Sequence, residues 1–458
     1  MRLSNSLFLG LVLLSGLRLW SQQDRTSAPA SAASAPLITV PVSADSGDAP
    51  MLVPPPVSGQ SYPLSFASEE RTNFLRGGVT FNTAYSDNVL GATSITPVSD
   101  TSYSVWPTIA LDETTSRLHA VVNYAPGFTF YQHTSAYNQA DQNLFLDVRY
   151  RLTPHVTISV QDSFQKSSDL FNQPDQAILG SVSGSTENGN QSIIAPLADR
   201  LSNNGGGAIS YQFSANAMVG ASGTFTNLHY PNPSQVPGLF DAASRSGSAF
   251  YSYRLSHRHY VGVTYQYQEL LSYPLAGTNQ TQTHGAFVFY SYHPSLAFSI
   301  SLFGGPQYYS EGAEFLGTNQ PLLPGSQAWT PAAGASMNWQ GWRTAATLSY
   351  SHTVSSGGGL VGAVRLDSAN ASIRQQLTRN LSASVAAFYG NNGVLALSSL
   401  GGHSISGSAA AQRQIGEHVR LQAGYTRLHE DYNFIVAQPD TNREWISISY
   451  QFARPLGR

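Results

Sequence analysis

Apolar and polar residues alternate along most of this chain, from about residue 74 to residue 452. In residues 144–152, Leu, Leu, Val, Tyr and Leu occupy every second position, with Phe, Asp, Arg and Arg between them. The stretches 156–161, 261–268, 296–302 and 419–426 alternate in the same way. A period of two places alternate side chains on opposite faces of a β-strand, so each stretch predicts a strand with one apolar and one polar face. No long segment carries the spacing of an amphipathic helix.

The connections between these strands fall into two classes that alternate along the chain. Eight are tight turns, at 112–117, 152–155, 214–216, 255–259, 292–295, 340–341, 378–380 and 416–418. Nine are longer and rich in Gly, Ser, Asn and Pro, near 88–100, 132–138, 168–202, 230–243, 272–281, 310–327, 355–361, 391–402 and 431–441. Eight hairpins with one further strand at each end give about eighteen strands, with sixteen as the alternative count.

Short turns at one end and long loops at the other are typical of bacterial outer-membrane barrels. The predicted fold class is therefore all-β, a transmembrane antiparallel up-and-down β-barrel. The sheet has to close, because an open edge in lipid would leave backbone groups unpaired at several kcal/mol each. An even number of strands places both termini on the periplasmic side of the outer membrane.

Composition supports this class and excludes others. Charged residues are only 11% of the chain, against about a quarter in a typical soluble domain. The mean hydropathy of −0.17, without long apolar runs beyond the N-terminus, argues against a helical membrane protein. A net charge of −3 without any basic block excludes nucleic acid as an expected partner. The absence of cysteine rules out disulfides and thiolate metal sites, and no metal or cofactor is expected.

The N-terminal region predicts export from the cytoplasm. Arg2 precedes an apolar core at 7–17 that is too short to span a bilayer, which indicates a signal peptide over residues 1–22. Residues 23–66 are rich in Pro, Ala and Ser and predict a disordered periplasmic segment. The barrel is assigned to residues 67–453, and residues 454–458 to a short C-terminal tail.

Three charged residues within predicted strands are candidate pore-lining groups: Asp147, Arg149 and Asp162. A charge facing lipid at the middle of the membrane costs about 2–4 kcal/mol for Arg or Lys, which favours placing strand charges in the lumen.

The third long loop, from about residue 168 to 201, carries four carboxylates: Asp169, Asp175, Glu187 and Asp199. Long third loops of porins often fold into the channel, so this loop is a candidate acidic constriction. A surface loop outside the channel is the alternative.

The last strand carries Ile446, Ile448, Tyr450 and Phe452 on one face. These side chains are expected to face lipid on a strand that pairs with the first strand near residues 74–88 and closes the barrel. The aromatic-x-aromatic ending is similar to the C-terminal signal that the barrel-assembly machinery binds, although six residues follow Phe452 here. Outer-membrane lipid and the assembly machinery are thus the expected partners.

Enzyme motifs such as G-x-S-x-G, H-E-x-x-H and the P-loop pattern do not occur in the sequence. Enzymatic activity is therefore not expected. A barrel enzyme remains an alternative, because such sites assemble from several strands. So does a structural or adhesive barrel with a plugged lumen and functional external loops.

Two stretches carry a resemblance to a known family. They are Tyr-Ser-Asp-Asn-Val-Leu at 85–90 and the hairpin at 143–164, with its rhythm Tyr-Arg-Leu-Thr-Pro-His-Val-Thr-Ile-Ser-Val-Gln-Asp-Ser-Phe. Both resemble porin-like outer-membrane β-barrels that often accompany exopolysaccharide export systems. The resemblance implies a passive channel for small hydrophilic solutes or an export pore for saccharide chains, and it transfers no catalytic residues.

Overall fold

Neighbouring strands of this chain pair antiparallel in sequence order and close into a barrel. The computed structural model describes residues 73–89, 97–167, 199–233, 239–274, 277–295, 297–315, 321–323, 325–360, 362–395, 401–433 and 440–455. Within these ranges, eighteen strands form one closed antiparallel sheet. The predicted fold class and the count of eighteen are confirmed. In the same ranges, no helix is long and apolar enough to cross a membrane.

The strands of the barrel are 12 to 17 residues long. They are β1 Phe74–Ser86, β2 Asp100–Thr114, β3 Leu118–Tyr131, β4 Gln139–Arg151, β5 Val156–Ser167, β6 Arg200–Ser214, β7 Ala217–His229, β8 Asp241–Ser256, β9 His259–Tyr273, β10 Asn279–Ser295, β11 Phe298–Glu311, β14 Ser326–Gln340, β15 Thr344–Ser356, β16 Ala363–Thr378, β17 Leu381–Val394, β18 Gly401–Ile415, β19 Val419–Tyr432 and β20 Asp440–Pro455. The short strands β12 Glu314–Phe315 and β13 Pro321–Leu323 form a separate hairpin between β11 and β14.

The barrel closes between β1 and β20, which pair without a break from Phe74↔Pro455 to Ser86↔Arg443. The side chains reinforce the seam, because Thr80 Oγ1 donates a hydrogen bond of 3.1 Å to Ser449 Oγ. β20 reaches Pro455, so residues 454 and 455 extend the last strand instead of belonging to the predicted tail.

The four predicted residues of the last strand lie on its outward face. Ile446, Ile448, Tyr450 and Phe452 are each about half exposed, whereas Ser447 and Ser449 between them are buried. The ring of Phe452 lies over Gly77 of β1, where a Cβ would collide with it. An aromatic ring covering a glycine of the neighbouring strand packs the seam that the first and last strands form.

The connections distinguish the two ends of the barrel. The end that carries the short connections 115–117, 152–155, 215–216, 257–258, 296–297, 341–343, 379–380 and 416–418 is called the turn end here, and the opposite end the loop end. β1 begins and β20 finishes at the turn end. Strands of this length, tilted as in other barrels, exceed the nine to eleven residues needed to cross a bilayer.

Candidate functional site

Hydroxyl and amide side chains line much of the inward face of the barrel. Directly opposite residues of neighbouring strands form hydrogen-bonded pairs across the wall, namely Ser104 with Thr129, Ser222 with Ser248, Thr224 with Ser246, Thr226 with Ser244, Ser291 with Ser301, Thr347 with Ser372 and Ser351 with Ser368, at 2.6 to 3.0 Å. Such pairs satisfy one hydroxyl with another and stabilise the sheet. They make these parts of the wall polar.

Phenylalanines interrupt this polar wall on β10 and β11. Phe287, Phe289 and Phe303 form a buried cluster with Ala332, and the rings of Phe287 and Phe303 meet edge to face at 5.9 Å between centroids. Phe289 lies over Gly262 of β9, on the inside of the barrel.

Asp147 and Arg149 lie on the inward face of β4. Asp147 pairs in register with Val121, which is buried inside the barrel, and Arg149 pairs with His119 of the same strand β3. Leu146 and Val148 alternate with them and point outward. The charged pair therefore lies on the lumen wall in the half of β4 nearer the turn end.

Asp162 does not lie on the lumen wall, and its assignment as a pore-lining residue is wrong. It has the same parity on β5 as Val160, which is 44% exposed on the outward face. Asp162 pairs in register with Leu146 and with Gly205. A Cβ added at Gly205 would lie 2.7 Å from Oδ1 of Asp162 and beside the outward ring of Phe225, so the Asp162 side chain is on the same face as that ring. The polar side chain of Asp162 suggested a position in the lumen. The turn at 152–155 sets the register of β5, and in that register the side chain of Asp162 points outward.

Most of the predicted constriction loop lies outside the described residues. This applies to Asp169, Asp175 and Glu187. Asp199 is described; it immediately precedes β6 and is partly exposed.

A different segment folds into the barrel. Residues 354–360 and 362–364, called the inner segment here, comprise the end of β15, the start of β16 and described residues between them. They contact the inward faces of strands that are not their sheet neighbours. The backbone N–H of Val354 donates to Oε1 of Gln307 on β11 at 3.1 Å. The N–H of Gly362 donates to Oγ of Ser272 on β9 at 3.0 Å. Since β9 and β15 are separated in the sheet by three strands, the inner segment crosses part of the lumen near the loop end.

Further contacts join the inner segment to the connection between β7 and β8. The carbonyl of Gly359 accepts a hydrogen bond of 2.6 Å from the N–H of Phe240, and the hydroxyl of Tyr230 donates to the carbonyl of Gly358 at 3.5 Å. Leu360 is almost fully buried. Arg200, Ser202, Asn204 and Leu228 line one side of a cavity, and Ser356 and Gly358 line the other.

Glycines make this crossing possible. Gly358, Gly359 and Gly362 have φ values of 59°, 109° and 78°, which side-chain-bearing residues rarely adopt. A Cβ on Gly359 would lie 2.9 Å from Oη of Tyr230, and a Cβ on Gly362 would collide with Oε1 of Glu311. The only sequence signal was the run Ser-Ser-Gly-Gly-Gly-Leu-Val-Gly at 355–362, which predicted a loop without its direction.

Tyr230 fastens the inner segment through a protonated phenol. Burial raises its pKa to about 12; Arg200 lowers the pKa, whereas Asp241 and Glu430 raise it further. At neutral pH the phenol keeps its proton and remains a donor to Gly358. Its backbone N–H donates to Oδ1 of Asp241 at 2.8 Å, which fixes the start of the connection between β7 and β8.

Asp100, the first residue of β2 at the loop end, fastens a second loop. Its carboxylate accepts hydrogen bonds from the N–H and hydroxyl of Thr134 at 2.8 and 2.7 Å, from His133 and from the N–H of Thr101. Burial by itself would raise the pKa of Asp100, but the hydrogen bonds from Thr134, His133 and Thr101 outweigh it and hold the pKa well below its usual range. The loop that contains the short 3₁₀ helix Ser135–Tyr137 is thereby anchored to the barrel.

The described ranges contain no cluster of three or more His, Asp or Glu side chains placed to hold a metal ion. No family model matches the chain, and no curated protein matches it either. Several solved structures share part of its backbone course. OccK2 (OpdF) of Pseudomonas aeruginosa has a TM-score of 0.41 at 10% identity, over 83% of this chain and 98% of that one.

Two further structures are similar at the same level. OccAB4 of Acinetobacter baumannii has a TM-score of 0.40 at 9% identity, over 84% of this chain and 100% of that one. The ferric-catecholate import receptor Fiu from E. coli has a TM-score of 0.40 at 9% identity, over 82% of this chain and 81% of that one. At such low identity and TM-score, these similarities assign neither a family nor a substrate to this chain.

Proposed function

We propose that the protein is an outer-membrane channel through which small hydrophilic solutes pass passively. The observation that carries this proposal is the sorting of side chains between the two faces of a closed barrel. Ile109, Val263, Val288 and Val385 are each more than half exposed on the outside, whereas hydroxyl and amide groups occupy the inside. A closed sheet pairs its own backbone groups, so an apolar outside is compatible with lipid while the polar inside can hold water.

The proposed location is the bacterial outer membrane, with the turn end in the periplasm. This orientation follows the usual arrangement of short periplasmic turns and long external loops. Both ends of the barrel chain, at β1 and β20, lie at the turn end and would then be periplasmic. Outer-membrane lipid is the proposed partner of the outward face, and the barrel-assembly machinery the proposed partner of β20.

Within this channel, the inner segment is proposed to form the narrowest part. It is held by single hydrogen bonds to β9 and β11 and by Tyr230, so it narrows the lumen on the side of β8 to β11. Asp147 and Arg149, on the turn half of β4, are proposed to line the entrance that leads to it.

Liposome swelling tests this function. Purified protein reconstituted in liposomes is expected to admit small neutral sugars and to admit larger oligosaccharides more slowly. Replacing residues 355–363 with a short Gly-Asn turn should speed the entry of the larger sugars, because the segment that crosses the lumen is removed. A deletion of similar size in loop 132–138 serves as the control. Failure of every variant to admit sugar would contradict the channel.

A plugged barrel is the second candidate, and one observation favours it. Tyr230, Leu360 and Leu428 are almost fully buried near the loop end, as in a packed interior. Planar-bilayer recording separates the two functions, since a plugged barrel passes no ion current until the inner segment is removed. Export of saccharide chains stays a prediction from the resemblance. A polymer that used this lumen would have to pass the inner segment.

A further inference from the structure

Charged residues are sorted along the axis of the barrel. Among the described residues, the turn half comprises the strand halves and connections nearer the turn end, and the loop half comprises those nearer the loop end. The turn half holds twelve arginines, Arg76, Arg117, Arg149, Arg151, Arg254, Arg258, Arg343, Arg374, Arg379, Arg413, Arg420 and Arg454, and four carboxylates, Asp112, Glu113, Asp147 and Glu417. The loop half reverses this balance.

In the loop half, thirteen carboxylates stand against six basic residues. The carboxylates are Asp87, Asp100, Asp141, Asp162, Asp199, Asp241, Glu269, Glu311, Asp367, Glu430, Asp431, Asp440 and Glu444, and the basic residues are Lys166, Arg200, Arg245, Arg365, Arg427 and Arg443. The two halves thus carry formal charges of opposite sign. Pairing within each half cannot cancel either excess.

The same division holds for the residues whose strand parity turns them into the lumen. In the turn half these are Arg76, Arg149, Arg151, Arg254, Arg374 and Arg420, against Asp112 and Asp147. In the loop half they are Asp100, Asp141, Glu311 and Glu430, against Arg200 and Arg443. The lumen is therefore basic toward the turn end and acidic toward the loop end.

The lumen-facing arginines surround the turn-end entrance instead of forming one patch. They come from β1, β4, β8, β16 and β19. Arg374 is exposed and pairs in register with Ala345 and Ser384, whose side chains are inward. Arg254 differs from the other lumen-facing arginines because its side chain is buried. Its Nε donates a hydrogen bond of 3.1 Å to Oδ1 of Asn216.

We propose that the lumen is a bipolar pore, in which the turn half concentrates anions, the loop half concentrates cations, and ionic current is larger in one direction than in the other. The proposal rests on the channel function proposed above. Rings of fixed charge in a water-filled pore raise the local concentration of counter-ions. With the loop side positive, cations from the acidic half and anions from the basic half are both driven toward the middle and raise the conductance. With the loop side negative, both are drawn away and the conductance falls.

Anionic solutes are the class that this arrangement favours at the turn-end entrance. A carboxylate or phosphate group entering there meets the five lumen-facing arginines that are not buried, and it meets the opposing acidic half only beyond the middle of the barrel. Such a solute enters more readily from the turn side than from the loop side. Salt screens the effect, since the Debye length shortens from about 30 Å at 0.01 M to about 3 Å at 1 M.

The test is single-channel recording with the inserted orientation known. The chain has no cysteine, so Trp342→Cys in an exposed turn provides a single site that a charged maleimide reaches only from the turn side. At about 0.01 M salt, where screening is weak, current should be larger with the loop side positive. The Arg76→Gln, Arg374→Gln double variant should bring the ratio of the two currents closer to one. At about 1 M salt the ratio should approach one in every variant.

Arg413→Gln is the matched control. Arg413 lies at the same end of the barrel and is exposed, but it pairs with Leu381 and Leu421 on the outward face. It should leave the current ratio unchanged. Current that is equal in both directions at low salt, or an effect of Arg413→Gln as large as that of the lumen double variant, would overturn the bipolar pore and leave the channel standing. Absence of any current would overturn both.

Discussion

The backbone N–H of Gly362 donates a hydrogen bond of 3.0 Å to the hydroxyl of Ser272, ninety residues earlier in the chain. Ser272 lies on β9, and Gly362 lies between β15 and β16, so β10, β11 and β14 separate them along the sheet. The bond therefore joins two parts of the wall through the lumen. Together with the contacts of Gln307 and Tyr230, it makes the position of the inner segment dependent on the side chain of Ser272.

Removing that side chain should loosen the inner segment. A buried N–H left without its acceptor costs about 1–3 kcal/mol, which is enough to increase the time the segment spends displaced. Ser272→Ala is expected to raise single-channel conductance or to add fluctuations between two levels. Ser291→Ala is the control, because Ser291 pairs with Ser301 within the wall. Equal behaviour of the two variants would contradict the proposed role of Ser272.

Substitution at Gly359 should disturb the same segment by a different route. Alanine there must adopt a φ near 109° and brings a Cβ to within 2.9 Å of Oη of Tyr230. Strain of this kind costs about 1–3 kcal/mol. Gly359→Ala should make residues near 357–362 more susceptible to limited proteolysis. Gly407→Ala should have no such effect, since a Cβ at Gly407 meets nothing within 4 Å; matching cleavage in both variants would count against the strain.

Ion selectivity should respond to Asp147 and not to Asp162. Asp147 faces the lumen, so Asp147→Asn removes a negative charge beside the permeation path and should shift the reversal potential toward anion selectivity. Asp162 faces outward, so Asp162→Asn should leave the reversal potential unchanged. It should also stabilise the barrel slightly, since an outward carboxylate costs somewhat less than the roughly 2–4 kcal/mol of an arginine at mid-membrane. A shift with Asp162→Asn equal to that with Asp147→Asn would place both in the lumen.

Phe452 is expected to act in assembly more than in stability. Phe452→Ser removes the outward ring that covers Gly77 at the seam and the aromatic that ends the predicted assembly signal. The variant should yield much less heat-modifiable barrel in outer membranes while still refolding in detergent. Phe225→Ser removes a similar outward ring, over Gly205 of β6, and should assemble normally. Normal assembly of the Phe452 variant would refute the signal.

The loop at 132–138 should loosen in acid. The pKa of Asp100 is held below its usual range, so the stability it contributes is fully present above its unfolded-state pKa of about 3.9. That stability is lost as pH falls from there through the lower folded-state pKa. Protection of the Thr134 amide against hydrogen exchange, measured relative to the intrinsic rate at each pH, should be high at about pH 5 and fall below about pH 4. Asp100→Asn should exchange fast throughout; a wild-type loop insensitive to acid would contradict the anchor.

The alternating pattern determined the architecture because period-two side-chain placement is a local property of an extended strand. Leu146, Val148 and Tyr150 point one way whatever lies beside them, and the spacing of turns then gave eighteen strands and the pairing of Phe452 with β1. The same rule placed Asp147 and Arg149 inward. The charge of Asp162 suggested the lumen, whereas its position after Val156, Ile158 and Val160 on β5 places it on the outward face.

The tertiary structure alone decided what fills and charges the lumen. The glycines at 357–359 predict a loop, but its turn into the barrel depends on Gln307, Ser272 and Tyr230, which lie more than forty residues away in the chain. Likewise, Arg76 and Arg374 share one entrance only because the sheet closes and sets β1 and β16 around the same axis. Local sequence fixes the face of each strand, whereas the direction of a loop and the sum of charges around a pore depend on contacts between distant strands.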